Sequence, residues 1–270
     1  MNFEKDKIEL VLKRRGFTYV KMNPREKLIF PEGFQKSRED FYYSLLKKYS
    51  FRLFLRDVIK FRNCFEAKDL SKYFSQPTAL KYIRIMEKDK IIEKIKDGKY
   101  RLAVEDVKSF GDTFEWFVAK IFEKEFGCPA AWNLTLKEAK TGGDFDVITF
   151  MEGNLVYLEL KSSPPKHVEQ NEVSAFFDRV SVLNPDLAIF LEDTHLRMKD
   201  KIVVLVEAEL RKRFGKKSSE SFSVKRVVKE LFSVGKRLYI SNSQRDIISN
   251  VGFCIKSFLQ REKMFFGYGD

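Results

Sequence analysis

The chain has 270 residues, of which 44% are hydrophobic and 33% are charged, and these proportions exclude a disordered polypeptide. Its formal net charge of +12, with a sequence pI near 9.4, favours a negatively charged partner. Three scattered cysteines and two histidines argue against a zinc ribbon, an iron–sulfur site or a disulfide framework, so a metal site would need carboxylate ligands.

The positive charge is concentrated in the first part of the chain. Residues 1–110 hold 27 Lys and Arg against 16 Asp and Glu, whereas residues 111–270 hold 24 against 23. An excess confined to one region is the electrostatic pattern of a module that holds nucleic acid. The alternative interpretation is a solvated, lysine-rich surface.

The sequence contains no segment that indicates membrane insertion or export. No apolar run approaches the roughly 18 residues of a membrane span. The N-terminal residues are charged and lack the apolar core of a secretory signal. We therefore expect no membrane partner and a cytoplasmic location.

Residues 1–38 contain a predicted helix over residues 4–15 and two short extended segments, and they indicate no function. The next region, about residues 39–104, has the element order of a winged helix-turn-helix. The predicted elements are a long or broken helix over 39–62, a short helix over 67–74, a helix over 77–88 and a hairpin of strands 91–95 and 100–102, closed by a turn with Asp97 and Gly98. We therefore predict a basic, mainly helical region over residues 1–108.

The third helix of this region has the pattern of a recognition helix. Lys81, Arg84 and Lys88 are spaced three and four residues apart and share one face. Leu80, Ile83 and Met86 can turn towards the core. A helix with one basic and one apolar face suits the major groove of DNA, and Lys99 in the hairpin is a further predicted contact. A solvent-exposed lysine face and a protein-interaction module are the alternatives.

From residue 109 the pattern changes to a mixed α/β domain that extends to residue 270. The predicted elements are a helix over 112–126, strands over 131–136, 144–150 and 155–161, a helix over 168–183, strands over 187–191 and 237–241, and a helix over 244–261. Residues 192–234 give no clear pattern.

A hairpin between Gly142 and Lys161 carries the most informative residues. Two β-rich segments flank a short polar turn, which Glu152 and Gly153 can form. In that register Ile148 faces Tyr157, and the next pair on the same face is Asp146 with Glu159. Directly opposed Cβ atoms lie about 5 Å apart. We therefore expect the two carboxylates to be close neighbours.

Two carboxylates this close repel each other unless a cation lies between them. A hard divalent ion such as Mg²⁺ prefers an oxygen cage of this kind. Lys161 emerges two residues after Glu159, on the same face of the strand, where it could orient or help to deprotonate a water bound to the metal. Asp144, opposite Lys161, is a weaker ligand candidate and could form an ion pair with that amine.

The order Gly-x-Asp-x-Asp, followed by a strand that ends Glu-x-Lys, resembles the PD-(D/E)XK nuclease superfamily, especially its Holliday junction resolvase-like branches. The helix that begins at Gly111 resembles the first core helix of that family, whose Glu corresponds to Glu115 here. The resemblance covers about residues 110–260 and implies an αβββαβ restriction endonuclease-like core. One departure is that Phe145, rather than proline, precedes Asp146.

The resemblance implies a Mg²⁺-dependent nuclease, with Mn²⁺ as a substitute metal. Asp146, Glu159, the Leu160 carbonyl and Glu115 would hold the metal, and Lys161 would position the attacking water. The implied substrate is DNA, double-stranded or branched, cut to 5′-phosphate and 3′-hydroxyl products. Many members of the superfamily act as dimers, which raises the option of a homodimer.

Two other functions are consistent with the same sequence. The nuclease-like domain could be inert, in which case the protein would be a DNA-binding regulator or scaffold that acts through its winged helix. RNA cleavage would use the same site, and the sequence does not separate it from DNA cleavage.

Overall fold

The structure is a computed structural model of the chain, and it describes residues 3–70, 73–96, 98–139, 143–215 and 222–263. The chain forms two compact units. One consists of residues 24–117, and the other combines residues 1–23 with residues 118–270. In the described parts of the chain, no helix has the length and apolar character needed to cross a membrane.

The unit of residues 24–117 is mainly helical. Its elements are α2 (Lys36–Leu46), α3 (Tyr49–Lys60), α4 (Gln76–Lys88), β2 (Ile92–Lys96), β3 (Lys99–Leu102) and the start of α5 (Gly111–Glu125). Strands β2 and β3 form an antiparallel hairpin, which Phe65 extends through a bridge to Tyr100. Three helices are therefore followed by a hairpin, although they are not the three that the sequence predicts.

Helix α4 begins where the sequence predicts. Ser75 is extended at its N-cap, and Pro77 lies in the first turn, where its missing N–H costs no helical hydrogen bond. Ile83 and Met86 are fully buried, as their spacing predicts. Aromatic side chains fill the space beneath this face, with Tyr82 against Phe51 and Phe54. Burial of this apolar stripe holds the helix in place.

The second unit is built on a mixed eight-stranded sheet in the order β1-β4-β5-β6-β7-β10-β9-β8. Its strands are β1 (Tyr19–Lys21), β4 (Ala130–Leu136), β5 (Phe145–Met151), β6 (Asn154–Lys161), β7 (Leu187–Glu192), β8 (Val224–Val228), β9 (Leu231–Val234) and β10 (Leu238–Asn242). Its helices are α1 (Phe3–Arg14), the rest of α5, α6 (Gln170–Leu183), α7 (Val204–Phe214) and α8 (Ile247–Lys263). The mixed α/β class is thus confirmed.

Strands β6, β7 and β10 run parallel in the centre of the sheet, and the remaining pairs are antiparallel. Every residue of β7 and β10 is buried, which is typical of a central parallel strand covered on both faces. The carboxyl ends of the three parallel strands therefore lie at the same edge of the sheet. Helix α6, which links β6 to β7, packs Val173 and Phe176 into the core beside Tyr157.

The first residues of the chain belong to this sheet. Strand β1 pairs antiparallel with β4, so that Tyr19 lies opposite Leu136. Ile8 and Leu12 of α1 are buried in the same core as the sheet residues. These contacts give a structural role to residues for which the sequence indicated no function.

The predicted elements differ from the structure in two places. Residues 67–70 form turns rather than the start of the predicted helix over 67–74, and residues 71–72 of that helix lie outside the described residues, as do Asp97 and Gly142. The unassigned residues 192–234 contain α7, β8 and β9. The long or broken helix predicted over 39–62 is the broken form, two helices that separate at Lys47 and Lys48.

Candidate functional site

The β5–β6 hairpin adopts the predicted register. Glu152 and Gly153 form the turn with positive φ angles of 46° and 84°, and Met151 pairs with Asn154. Ile148 lies opposite Tyr157, as predicted. Continuing this register by one pair on the same face brings Asp146 and Glu159 together.

Asp146 is half-buried and tied to the neighbouring strand. Its Oδ2 atom accepts a hydrogen bond of 2.6 Å from the backbone N–H of Leu160. Burial raises the pKa of Asp146 well above its usual value, and the negative charge of Glu159 raises it further. The Leu160 hydrogen bond and the nearby cations only partly offset this rise in pKa. The two carboxylates are therefore close enough for the charge of Glu159 to disfavour ionisation of Asp146.

Glu159 is 1% exposed and lies at the centre of a network of charges. Its Oε2 atom accepts hydrogen bonds from the Tyr157 hydroxyl and, at 3.0 Å, from Nη1 of Arg179. Its Oε1 atom lies 3.0 Å from Nζ of Lys161. A buried carboxylate needs such partners, since the loss of hydration costs several kcal/mol per ion.

Lys161 lies between two carboxylates. Its Nζ atom is 3.0 Å from Glu159 and 3.1 Å from Glu172, which is in the first turn of α6. Burial lowers the pKa of Lys161, but the surrounding carboxylates outweigh burial and the net pKa is raised. The amine is therefore a protonated donor, which favours orientation of a substrate over abstraction of a proton. Asp144 instead accepts a hydrogen bond from Thr135.

Neither Arg179 nor Glu172 was predicted from the sequence as part of this network, and Arg179 is the more deeply buried of the two. It belongs to α6, and its side chain is 13% exposed. It is the only Lys or Arg in that helix, three residues after buried Phe176 and four before buried Leu183. A lone cation on a buried face needs a negatively charged partner, and this pattern could have identified it.

Two further metal ligands are predicted from the sequence, the Leu160 carbonyl and Glu115. The N–H of Leu160 donates to Asp146, and Leu160 pairs with Leu191 of β7. Metal binding by the Leu160 carbonyl stays a prediction. Glu115 is half-buried on α5 and belongs to the unit of residues 24–117. Its part in the site stays a prediction as well.

The side chains present fit the simplest kind of magnesium site, in which few protein ligands are combined with water. Within the described ranges, no group of three or more His, Cys, Asp and Glu side chains is arranged to hold a metal. Magnesium is often bound through one or two carboxylates with water in its remaining positions, however, and Asp146 with Glu159 provides such a pair. A divalent ion there would relieve the repulsion that raises the pKa of Asp146.

The predicted nucleic-acid contacts lie in the other unit. Lys81, Arg84 and Lys88 are all exposed on α4, and Lys99 is exposed at the start of β3. The spacing prediction of one exposed basic face is therefore confirmed for the helix. Whether this face contacts nucleic acid stays a prediction.

No protein-family model and no curated protein matches the sequence. Solved structures that are similar to part of it include protein VC1899 and Can2. Protein VC1899 from Vibrio cholerae is 16% identical over 60% of this chain and 46% of its own, with a TM-score of 0.38. Can2 from Sulfobacillus thermosulfidooxidans, in complex with cyclic tetra-adenylate, is 13% identical over 68% of this chain and 50% of its own, with a TM-score of 0.41. The chain spans half or less of each, and these scores assign no family.

Proposed function

We propose that the protein is a metal-dependent nuclease that hydrolyses phosphodiester bonds of DNA. The observation that carries this proposal is the convergence of two carboxylates, Asp146 and Glu159, beside a protonated amine, Lys161, at the end of one hairpin. The resemblance of this segment to the PD-(D/E)XK superfamily, and the element order α5-β4-β5-β6-α6-β7, support the same proposal.

Asp146 and Glu159 would hold Mg²⁺ or Mn²⁺. When bound, such an ion neutralises charge on the phosphate oxygens and makes a bound water more acidic. Asp146 is held in place by the Leu160 N–H, and Glu159 by the Tyr157 hydroxyl, so both carboxylates are oriented before substrate binds. This orientation is the contribution of the fold.

Lys161 would bind and orient the scissile phosphate and the attacking water. Its amine is anchored on one side by Glu172, which fixes its position relative to the strand. A protonated amine next to a phosphate stabilises the negative charge that develops as the bond breaks. Its raised pKa keeps it in the form that does this at neutral pH.

The unit of residues 24–117 would supply affinity for nucleic acid. It holds 21 Lys and Arg against 15 Asp and Glu, and α4 presents its cations to solvent. Contacts between such cations and phosphates bind without regard to sequence and weaken as salt rises. Double-stranded or branched DNA is the substrate that we propose.

The test is a cleavage assay on plasmid, branched DNA, flap DNA and RNA, side by side, with Mg²⁺, Mn²⁺ or EDTA. We expect cutting of DNA that requires metal, and its loss in Asp146→Ala and Lys161→Ala with gel-shift binding retained. Glu152→Gln, at the exposed turn of the same hairpin, is the matched control and should cut normally.

Two results would contradict the proposal. Metal-independent binding without cutting would identify a DNA-binding regulator or scaffold with an inert nuclease-like site. Cleavage of RNA alone would show that the substrate is RNA rather than DNA, with the same metal-dependent hydrolysis.

A further inference from the structure

The guanidinium of Arg179 has a donor that its protein partners leave unused. Nη1 donates to Glu159 at 3.0 Å, and Tyr157 is a further hydrogen-bond partner of the side chain. The Nε–H is buried and has no hydrogen-bond partner among the residues that the structure describes. A buried donor without a partner destabilises the folded protein, so this arrangement calls for a reason beyond the stability of the fold.

Arg179 also lies against an exposed part of the backbone. Its Nη2 atom is 2.9 Å from the position that a Cβ atom at Gly143 would occupy. Gly143 itself is exposed, whereas Glu159 is buried. The guanidinium therefore reaches from a buried carboxylate, on its Nη1 side, to the surface at the start of β5, on its Nη2 side.

Without a metal, the site holds one more carboxylate than cations. Asp146, Glu159 and Glu172 face Lys161 and Arg179, which gives three acidic and two basic groups. A divalent cation bound at the carboxylates would leave an excess of positive charge, and Arg179 would compete with it for Glu159. An incoming phosphate carries the negative charge that restores the balance.

We propose that Arg179 is a substrate-binding residue that exchanges partners, from Glu159 in the metal-free protein to a phosphate oxygen in the loaded site. This inference rests on the proposed nuclease function and names the group that recognises the scissile phosphate. Arginine suits the role because its planar fork of N–H donors matches two phosphate oxygens at once. The Nε–H, which has no partner among the described residues, lies on the same edge of the fork as Nη2, which faces Gly143, and this edge would receive the phosphate.

The test compares Arg179→Met and Arg179→Lys with the unaltered protein in two measurements. The first is Mn²⁺ binding by titration calorimetry without DNA. Removing a competing cation should make Arg179→Met bind Mn²⁺ about fivefold more tightly, the equivalent of roughly 1 kcal/mol of repulsion. If Arg179 had a merely structural role, its replacement would not strengthen metal binding.

The second measurement is steady-state cleavage of DNA. Arg179→Met should cut at least about 100-fold more slowly, because a phosphate-binding donor is lost. Arg179→Lys should regain part of the rate, since it keeps the charge without the fork. Opposite changes in metal affinity and rate are the expected signature.

The outcomes separate this inference from the function on which it rests. If the unaltered protein cuts DNA but Arg179→Met cuts equally fast, or binds Mn²⁺ more weakly, the role of Arg179 is wrong and the nuclease proposal stands. If the unaltered protein neither binds Mn²⁺ nor cuts, both fall. Should Arg179→Met not fold, as judged by thermal unfolding, Arg179→Lys decides: an unchanged rate and Mn²⁺ affinity would overturn the inference.

Discussion

Glu172 connects the start of helix α6 to Lys161. One of its carboxylate oxygens lies 3.1 Å from the Lys161 amine, and the other accepts a hydrogen bond of 2.9 Å from the backbone N–H of Glu169. Glu169 and Glu172 together form a capping box at this helix end. The same side chain therefore stabilises a helix and positions an amine of the candidate site.

A first prediction separates these two roles. Glu172→Ala and Glu169→Ala each remove half of the capping box and should each lower the free energy of unfolding by about 1 kcal/mol. Only Glu172→Ala also frees Lys161, so only that variant should slow DNA cleavage, by about tenfold. Denaturant unfolding and initial cleavage rates measure the two effects. Equal cleavage rates in the two variants would show that Glu172 has no part in the site.

A second prediction concerns the stability cost of the paired carboxylates. Burial and the charge of Glu159 raise the pKa of Asp146, so its ionised form destabilises the folded protein at neutral pH. Asp146→Asn keeps an acceptor for the Leu160 N–H and removes the repelling charge. We expect it to abolish cleavage and raise the free energy of unfolding by roughly 1 kcal/mol at pH 7. A less stable Asp146→Asn, with Glu152→Gln unchanged, would contradict this account.

A third prediction uses two glycines with similar backbone angles. Gly143 and Gly153 have φ angles of 77° and 84°, so alanine at either should cost roughly 1–2 kcal/mol of stability. An added Cβ at Gly143 would also meet Arg179 at 2.9 Å, whereas no atom lies within 4 Å of the corresponding position at Gly153. Gly143→Ala should therefore slow cleavage, and Gly153→Ala should not. Cleavage rates compared at matched folded fractions give the answer.

A fourth prediction concerns acid stability, away from the site. Burial would raise the pKa of Glu209, but hydrogen bonds from Arg213, Ser174 and Gln170 outweigh it, and the net pKa lies below its usual value of 4.5. The ionised carboxylate therefore stabilises the fold above about pH 4.5, and this contribution is lost as the pH falls through the lowered pKa.

Glu209→Gln should accordingly be less stable than the unaltered protein at pH 7, and the difference should shrink in acid. Urea unfolding at pH values between 3 and 7 measures it. Glu207→Gln, on the same helix but outside this network, is the control. A stability difference that stays constant with pH would refute the assignment.

A fifth prediction tests the basic face of α4. Replacing Lys81, Arg84 and Lys88 together by alanine should weaken DNA binding. It should also make the plot of log binding constant against log salt concentration less steep, by up to about 2.7 if all three neutralise phosphates of a duplex. Alanine at Lys36, Lys48 and Lys60, three exposed lysines elsewhere in the same unit, is the matched control. Equal losses of affinity would indicate a general charge effect.

Several parts of the site could be predicted because they depend on local rules. The Glu152-Gly153 turn fixes the hairpin register, and a period of two residues then places Asp146, Glu159 and Lys161 on one face. The exposed cations of α4 follow in the same way from helical spacing. Each of these inferences involves residues that are near one another in sequence.

The missed features depend on contacts across long stretches of chain. Arg179 reaches Glu159 from a different element, 20 positions away, and its spacing in α6 does not reveal which carboxylate it meets. One of the two extended segments predicted in residues 1–38 is β1, but its pairing with β4, a partner more than 100 residues distant, has no local signal. Residues 67–70 form turns, with Ala67 and Leu70 buried, although Ala and Leu are strong helix formers.

The pairing of β1 with β4 has a consequence for dividing the protein. A shortened version that begins at residue 109 would lack β1, which pairs with one edge of β4. It would also lack α1, whose Ile8 and Leu12 are buried in the core. Its β4 would then be a bare outer strand, a template on which other chains can add and aggregate. Isolating the sheet-containing unit therefore requires residues 1–23 to be joined to residues 118–270 by a linker in place of the helical unit.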